Sequence, residues 1–276
     1  MQPAREFSIG SVFVGQGRSL FVIAGPCVIE SPEHCRFVAQ ELKLITSRCN
    51  VPFVFKASFD KANRSSVGSF RGLGMQQGLA VLRSIREELQ IPVLTDIHEV
   101  SQIKPVAAVV DCLQIPAFLC RQTDLLLATG QSGRAVNVKK GQFLAPWDME
   151  NVVRKLEASG CQQILLTERG TSFGYNNLVV DMRSFPIMRQ WGWPVVYDVT
   201  HSLQLPGGQG TASGGQSQFI ENLARAGVAA GIDGLFLEVH DNPSKALSDG
   251  PNALPLPRLE ALLRTVKQVH AIVTND

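Results

Sequence analysis

The chain has 276 residues, of which 45% are hydrophobic and 18% are charged, and its formal net charge is +2. This composition supports a sizeable core and excludes a disordered chain, and the small net charge argues against a surface for nucleic acid or membrane. No apolar run approaches the roughly 18 to 20 residues of a membrane-spanning helix, and the first residues lack the apolar stretch of a signal peptide. The six cysteines form no CxxC pair and are expected to be reduced. We therefore expect a cytoplasmic protein whose partners are small molecules or further copies of itself.

The chain begins with a weakly alternating stretch, EFSIGSVFVGQG, which predicts a short β-hairpin within residues 1–19 that closes the bottom of the following domain. Eight apolar runs then recur, at 20–25, 53–58, 92–97, 112–117, 135–140, 163–168, 194–199 and 234–239. Apolar residues three and four apart between or after these runs predict helices at 32–48, 74–89, 152–159, 217–231 and 256–273. This alternation predicts a (β/α)8 TIM barrel as a single domain over residues 1–276. A doubly wound open sheet is the alternative, although the chain lacks a GxGxxG turn and a Walker A sequence.

Polar or ionisable side chains lie at or just after the end of every predicted strand. These residues are Cys27, Lys56, Lys61, Asn63, Arg64, Ser65, Asp96, His98, Glu99, Gln114, Lys139, Lys140, Glu168, Arg169, Asp198, His201, Glu238, His240, Asp241 and Asp249. In a barrel of this kind, the carboxyl ends of the strands and the loops after them form the active site. A polar group directed into the barrel core would be costly, so this arrangement predicts one polar site at the carboxyl-terminal mouth.

The cations of this set are predicted to converge from three strands: Lys56, Lys61, Lys139 and Arg169. Such cations repel one another unless an anion lies among them, which predicts a small ligand with a carboxylate and a phosphate. The alternative is that each lysine pairs with an acid at the rim. A second phosphate site is suggested by KANRSS at 61–66, with Asn63, Arg64 and Ser65, although the same residues also fit a polar loop with a capping serine.

Cys27 follows the first strand, and its role is open from the residues alone. His201, Glu238 and Asp249 follow strands 7 and 8, which are neighbours of strand 1 where a barrel closes. Thiolate, imidazole and carboxylate ligands suit zinc, iron or manganese. Cys27 also fits a small buried hydrophobe, and a nucleophilic role would need a base that the sequence does not identify.

Eight longer motifs cover roughly residues 20–260: AGPCVIES, FVFKASFDKANRSS, TDIHE, QIPAFLCRQTDLL, NVKKGQFLAPWD, ERGTSFGYNNLVVDMR, YDVTHSLQLPGG and SDGPNALPL. They closely resemble the 3-deoxy-D-manno-octulosonate 8-phosphate synthase family, also called 2-dehydro-3-deoxyphosphooctonate aldolase. The resemblance implies a (β/α)8 barrel, usually a homotetramer. It also implies condensation of phosphoenolpyruvate with arabinose 5-phosphate, with release of phosphate, as a step toward the inner core of lipopolysaccharide.

The resemblance also implies a role for individual motif residues. Phosphoenolpyruvate would be held by Lys61, Lys139 and Arg169, with Lys56, Gln114 and Ala117 beside them. The aldose phosphate would be held by Asn63, Arg64 and Ser65, and a neighbouring subunit's site would be reached by Arg121. The chemistry would involve Asp96, Lys139, His201 and Asp249. A divalent metal would be held by Cys27, His201, Glu238 and Asp249, and no organic cofactor is implied.

The AGPCVIES motif bears on the choice between the metal-dependent and metal-independent branches of the family. Metal-independent members resemble GMNVLES, with Asn where this chain has Cys27. The resemblance therefore assigns this chain to the metal-dependent branch, with zinc, iron or manganese as the candidate ions.

The main alternative activity is that of the related synthase that uses erythrose 4-phosphate in the shikimate pathway. Its loop after strand 2 resembles KPRTS, whereas this chain has KANRSS, which favours the five-carbon sugar phosphate. A non-catalytic sugar-phosphate-binding barrel and a metal-dependent aldolase that cleaves a phosphorylated sugar are further alternatives.

Overall fold

The computed structural model describes residues 4–64, 66–207 and 214–274. An antiparallel hairpin of Phe7–Ile9 and Val12–Val14 opens the fold. Its inward residues are buried, and the ring of Phe7 lies 6.3 Å from that of Trp193, just before a barrel strand. The hairpin therefore covers the amino-terminal end of the barrel, and the predicted hairpin is confirmed.

Eight parallel strands form the barrel: β1 (Phe21–Gly25), β2 (Phe53–Lys56), β3 (Val93–Asp96), β4 (Cys112–Ile115), β5 (Ala135–Lys139), β6 (Ile164–Glu168), β7 (Val195–Asp198) and β8 (Gly234–His240). Each strand pairs with the strand before it, and β8 also pairs with β1, so that Leu237 lies opposite Ala24 and the sheet closes. The strands are buried on both faces, which explains why they are near-continuous apolar runs in the sequence. The predicted barrel is confirmed.

Eight helices surround the barrel: α1 (Pro32–Cys49), α2 (Met75–Leu89), α3 (Val100–Ala107), α4 (Thr123–Gly130), α5 (Met149–Ala158), α6 (Ser184–Arg189), α7 (Ile220–Ala229) and α8 (Leu259–Thr274). The first helix shows why the local sequence is helical. Ser31 caps it by accepting a hydrogen bond from the His34 N–H at 3.1 Å, Pro32 follows at the first helical position, and Asn50 ends it with a left-handed backbone. No helix in the described ranges is long and apolar enough to cross a membrane.

Three of these helices, α3, α4 and α6, were not among the helical segments predicted from the sequence. Each is short, at eight, eight and six residues respectively. Pro105 lies inside α3, Gly130 ends α4, and Pro186 lies inside α6. These residues are poor helix formers, so packing against the barrel outweighs a weak local signal.

Short elements shape the carboxyl-terminal mouth. A one-turn helix, Val199–Ser202, follows β7, and small antiparallel pairs join Thr171–Ser172 to Leu178–Val179 and Gln204–Leu205 to Gly214–Gly215. The end of β8 pairs with Leu254–Pro255, which brings the loop between them back to the mouth. Single 3₁₀ turns occupy Ala117–Leu119, Pro146–Asp148, Ser217–Phe219, Pro243–Lys245, Gly250–Asn252 and Leu256–Arg258.

Candidate active site

The carboxyl ends of the strands surround a cavity of about 400 Å³. Most of the residues predicted as site residues line it: Lys56, Lys61, Asn63, Arg64, Asp96, Gln114, Ala117, Lys139, Arg169, His201 and Asp249. Cys27 and Glu238 are buried at its edge, where Cys27 contacts Asp249 and Glu238 contacts His201. Arg121 is exposed and is not part of this lining. Ser65 lies outside the described residues.

Two of the cavity lysines face buried acids rather than acids at the rim. Lys56 Nζ lies 3.5 Å from Glu238 Oε1 and donates to the Cys27 carbonyl at 3.0 Å. Lys139 donates to Asp198, and its Nζ lies 3.1 Å from the centroid of the Phe236 ring. Burial lowers the pKa of Lys139 to about 8, because it outweighs the opposing effect of the Asp198 carboxylate. The Lys139 ammonium group is therefore expected to lose its proton near pH 8.

Arg169 and Lys61 supply the other cavity cations. Arg169 Nη2 donates to Gln204 Oε1 at 2.6 Å, whereas Nη1 is buried without a partner in the described part of the chain. A buried guanidinium nitrogen without an acceptor is costly, so this donor favours an anion in the cavity. Burial disfavours charge on Lys61, but Cys27, Glu238 and Asp249 outweigh it and raise the lysine's pKa well above its usual value.

Asp96 lies at the end of a chain of buried hydrogen bonds across four strands. Both Gln114 and Ser58 donate to its carboxylate. Asn137 Nδ2 donates to Gln114 Oε1 at 2.8 Å, and the Thr167 hydroxyl donates to Asn137 Oδ1 at 2.5 Å. A carboxylate can only accept, so its charge fixes the orientation of both amides along the chain. Burial disfavours the charge, but Lys56 and Lys61 outweigh it and hold the pKa of Asp96 below its usual value.

Three of the four predicted metal ligands, Cys27, Glu238 and Asp249, meet at one point of the cavity wall, and the fourth, His201, lies beside Glu238. Cys27, Glu238 and Asp249 each present a ligand atom within 4.8 Å of the others, and His201 Nε2 lies 3.1 Å from Glu238 Oε1. His201 Nδ1 lies 2.7 Å from Asp198 Oδ2. In the neutral ring Nδ1 would donate to this carboxylate and Nε2 would present its lone pair, as in carboxylate–histidine–metal arrangements.

The environments of Glu238 and Cys27 show whether this set of ligands suits a metal ion. Both carboxylate oxygens of Glu238 are buried, and apart from the ionic contacts of Oε1 with Lys56 and His201 they have no hydrogen-bond partner among the described residues. Burial and the neighbouring Glu238 carboxylate raise the pKa of the Cys27 thiol well above its usual value. A cation between these groups would satisfy the carboxylate and displace the thiol proton, so the donor set fits a four-coordinate divalent ion.

A second group of possible ligands, Glu30, His34 and His240, lies nearby. His240 Nδ1 accepts the Asn242 N–H at 2.9 Å, which leaves the ring proton on Nε2, 3.3 Å from Glu30 Oε1. His34 Nε2 lies 2.8 Å from Asp241 Oδ1. Because Nε2 of His240 carries a proton in this arrangement, the group is a hydrogen-bonded cluster and a poorer metal site than the set around Cys27.

Sequence reasoning missed Gln204, which contacts two of the predicted residues. Gln204 Nε2 donates to Asp249 Oδ1 at 3.0 Å, so Gln204 joins Arg169 to Asp249. Lys140 is fully buried, 3.3 Å from Glu168 Oε1, and donates to the Leu144 carbonyl at 3.1 Å. The available signal for Gln204 was its position three residues after His201, whereas Lys140 was predicted as one of the two lysines at the end of the fifth strand.

Comparison with known proteins gives the family of the chain. The sequence matches the DAHP synthetase I family over residues 3–275, and the chain belongs to this family. Proteins named 2-dehydro-3-deoxyphosphooctonate aldolase are similar to it over nearly their whole length. The protein from Trichlorobacter lovleyi is 61% identical over 269 residues, and that from Geobacter metallireducens is 60% identical over 269 residues. Each alignment covers 98% of this chain and 99% of the relative. The resemblance drawn from the sequence motifs is confirmed.

Proposed function

We propose that the protein condenses phosphoenolpyruvate with D-arabinose 5-phosphate and water to give 3-deoxy-D-manno-octulosonate 8-phosphate and inorganic phosphate. The observation that carries this proposal is the group of cations around one cavity: Lys56, Lys61, Lys139 and Arg169. The family description names the activity of the erythrose 4-phosphate enzyme, but the similar proteins are named for the octulosonate product. Those names and the KANRSS loop favour the five-carbon acceptor.

Phosphoenolpyruvate would lie between the cations at the base of the cavity. The unpaired Nη1 of Arg169 offers a donor to its phosphate, and Lys61 and Lys139 offer charge to its phosphate and carboxylate. Lys56, Gln114 and Ala117 complete the wall beside it. Such positioning supplies much of the rate increase for a reaction between two anionic substrates.

The aldose phosphate would lie nearer the rim. Asn63 and Arg64 line the outer part of the same cavity, on the loop after β2, and we assign Ser65 of this loop the same role. Both substrates would then be held by the chain between β2 and α2 and by the strand ends that it faces. This shared cavity brings the two reacting carbons together.

The reaction forms a carbon–carbon bond and a carbon–oxygen bond to water, and it breaks the carbon–oxygen bond to phosphate. The methylene carbon of phosphoenolpyruvate attacks the aldehyde carbon of the sugar, and the aldehyde oxygen takes up a proton. Water adds at the carbon that bears the phosphate and loses a proton, and the tetrahedral intermediate expels phosphate to leave a ketone. We assign the proton transfers to a set of four cavity residues: Asp96, Lys139, His201 and Asp249. Lys139 suits an acid role, because its pKa of about 8 is close to the working pH.

A divalent ion, zinc, iron or manganese, would be held by Cys27, His201, Glu238 and Asp249. When bound, such an ion polarises an oxygen of the substrate as a Lewis acid. Asp198 holds the His201 ring in the orientation that presents Nε2 to the site. The buried carboxylate of Glu238 supplies the negative charge that makes a cation favourable there.

We propose that the active form is a homotetramer located in the cytoplasm. Large aromatic side chains are more than half exposed on the loops after β4, β5 and β6: Phe118, Phe143, Trp147, Phe173 and Tyr175. Aromatic residues of this kind are enriched at subunit interfaces. Arg121 is exposed after β4, and we assign it to the aldose-phosphate site of a neighbouring subunit. The six cysteines are all free, which fits a reducing compartment.

The test of the proposed function is phosphate release from phosphoenolpyruvate by protein stripped with a strong chelator. Arabinose 5-phosphate is the acceptor, with and without added zinc, iron or manganese, and erythrose 4-phosphate is the control acceptor. We expect phosphate release that depends on metal and on arabinose 5-phosphate. No release with either acceptor would overturn the synthase proposal, and release with erythrose 4-phosphate alone would establish the alternative.

A further inference from the structure

Gln204 connects two charged groups that have different roles in the proposed reaction. Its Oε1 accepts from Arg169 Nη2 at 2.6 Å, and its Nε2 donates to Asp249 Oδ1 at 3.0 Å. The residue lies in a short strand, where its backbone pairs with Gly215. One amide side chain therefore spans the distance between a guanidinium of the anion site and a carboxylate of the metal site.

The orientation of this amide follows from the chemistry of its partners. An arginine can only donate hydrogen bonds, so it must face the amide oxygen, and a carboxylate can only accept, so it must face the amide nitrogen. Both hydrogen bonds involve a charged group, which makes each about twice as strong as a bond between neutral groups. Gln204 is thus held in one orientation by the two charges together.

At the metal site, Gln204 determines which oxygen of Asp249 is available. With Oδ1 accepting from Gln204, Oδ2 lies 3.2 Å from Cys27 Sγ, among the other ligands. The carboxylate is therefore presented to the site through one oxygen.

At the anion site, Gln204 holds the guanidinium of Arg169 from one side. Nη2 is engaged by Gln204 at 2.6 Å and by the His201 carbonyl at 3.4 Å. Nη1, which is buried without an acceptor in the described residues, is left for an incoming anion. Loss of the Gln204 contact would free the guanidinium to rotate away from this position.

We propose that Gln204 is a positioning residue that couples the metal site to the anion site, an inference that rests on the proposed function. Asp249 would be held by a bound metal ion, its carboxylate orients the Gln204 amide, and the amide orients Arg169 for the phosphate of phosphoenolpyruvate. The coupling is reciprocal, so bound phosphoenolpyruvate must strengthen metal binding by the same factor.

The test compares binding constants of the full-length protein without turnover. Co²⁺ is titrated into chelator-stripped protein and followed by the thiolate-to-cobalt absorption of Cys27, with and without phosphoenolpyruvate. Calorimetry gives the phosphoenolpyruvate affinity with and without Co²⁺. The variants are Gln204→Met, which keeps the length and removes both hydrogen bonds, and Gln204→Asn, whose amide is too short to span both partners. Gln142→Met, a substitution in another glutamine of the cavity wall, on the loop after β5, is the matched control.

We expect both Gln204 variants to bind Co²⁺ about 10–100-fold more weakly, as is typical for loss of an outer-shell partner. In the unmodified protein each ligand should strengthen the other by a factor of about 5 or more, and in both Gln204 variants this factor should fall toward 1. Gln142→Met should retain the cobalt affinity and the coupling factor. If Gln204→Met fails to fold, Gln204→Asn keeps an amide in place and decides the question.

The outcomes separate this inference from the proposed function. Unmodified protein that binds both ligands, with unchanged affinities and coupling in the Gln204 variants, would overturn the positioning role alone. A loss of the same size in Gln142→Met would also overturn it, because the effect would then be one of general packing. Unmodified protein that binds neither Co²⁺ nor phosphoenolpyruvate would overturn the proposed function and this inference together.

Discussion

His201 Nε2 lies 3.1 Å from Glu238 Oε1, while Nδ1 of the same ring is 2.7 Å from Asp198 Oδ2. The ring is thus placed between two carboxylates. Burial disfavours its charged form, but Asp198 and Glu238 outweigh burial and raise the pKa of His201 above its usual value. Either a second ring proton or a metal ion can occupy the position between Nε2 and Glu238.

This relationship predicts that metal uptake releases protons. The ion displaces the Nε2 proton of His201 and the thiol proton of Cys27, whose pKa is raised by burial and by Glu238. Zinc titration in two buffers of different ionisation enthalpy, followed by calorimetry, measures the number released. We expect between one and two protons per ion near pH 7, and a metal affinity that weakens as the pH falls. Uptake without proton release would contradict the assigned ligands.

The pKa of Lys139 predicts that capture of phosphoenolpyruvate weakens at alkaline pH. Its pKa of about 8 means that the side chain loses its charge as the pH rises through that value, and with it the attraction for an anion. We expect kcat/KM for phosphoenolpyruvate to fall about tenfold per pH unit above this point. The corresponding alkaline limb of the kcat profile should lie at higher pH, because the bound anion favours the charged lysine. Full pH profiles of both constants provide the measurement.

The control for this prediction is Lys139→Arg, which stays charged throughout the range. Its absolute activity should be lower, because the guanidinium is larger and cannot donate its proton, but the limb near pH 8 should disappear. An unchanged limb in Lys139→Arg would assign the titration to another group.

Cys27→Asn tests how far the site depends on its metal. The substitution removes the one thiolate from the ligand set, so metal affinity should fall by more than the 10–100-fold typical of an outer-shell partner. Metal-independent members of the family resemble GMNVLES, with Asn at this position. The variant is therefore predicted to retain measurable turnover that a chelator no longer abolishes. Activity assays with and without chelator, beside direct metal analysis, provide the measurement. Cys35→Ala, at a buried cysteine of α1, is the control and should keep the metal dependence. A folded but inactive Cys27→Asn would show that the site requires the ion.

The barrel was predictable because strands buried on both faces are short apolar runs, and eight of them alternate with longer segments. Most of the residues that line the cavity were predictable as polar side chains at or after the ends of those runs. Several of their hydrogen-bond partners were not. Asn137 lies in an apolar strand, and only the register that places it opposite Gln114, with Gln114 opposite Asp96, makes it part of the site. The short helix α3 was missed for a similar reason, since tertiary packing holds it despite Pro105.

Thr167→Val tests the chain of hydrogen bonds behind Asp96. Valine has nearly the same shape, but it leaves Asn137 Oδ1 buried without the donor that now lies 2.5 Å away. An unsatisfied buried acceptor costs about 1–3 kcal/mol, so the free energy of unfolding should fall by that amount in chemical denaturation. Thr274→Val, at an exposed position at the end of α8, is the control and should change stability by less than about 0.5 kcal/mol. Equal stabilities of the two variants would show that Asn137 finds another partner.

The role proposed for Arg121 predicts that each active site is completed by a residue of a second subunit. Arg121→Ala and Lys61→Ala should each fold. Each should be weakly active, because each removes one substrate-binding cation from every site. In a mixed oligomer, some sites take Lys61 from one chain and Arg121 from its neighbour and are therefore intact. Random mixing should restore about one quarter of the sites if each site draws Arg121 from one neighbour in a symmetric assembly. Co-expression of the two variants, with separately tagged chains and an assay for phosphate release, measures this recovery. The matched control is a mixture of Lys61→Ala and Arg169→Ala. These two residues line the cavity of the same chain, so every site in that mixed oligomer keeps one of the two substitutions and no activity should be recovered. No recovery with Arg121→Ala would place Arg121 outside the neighbouring site.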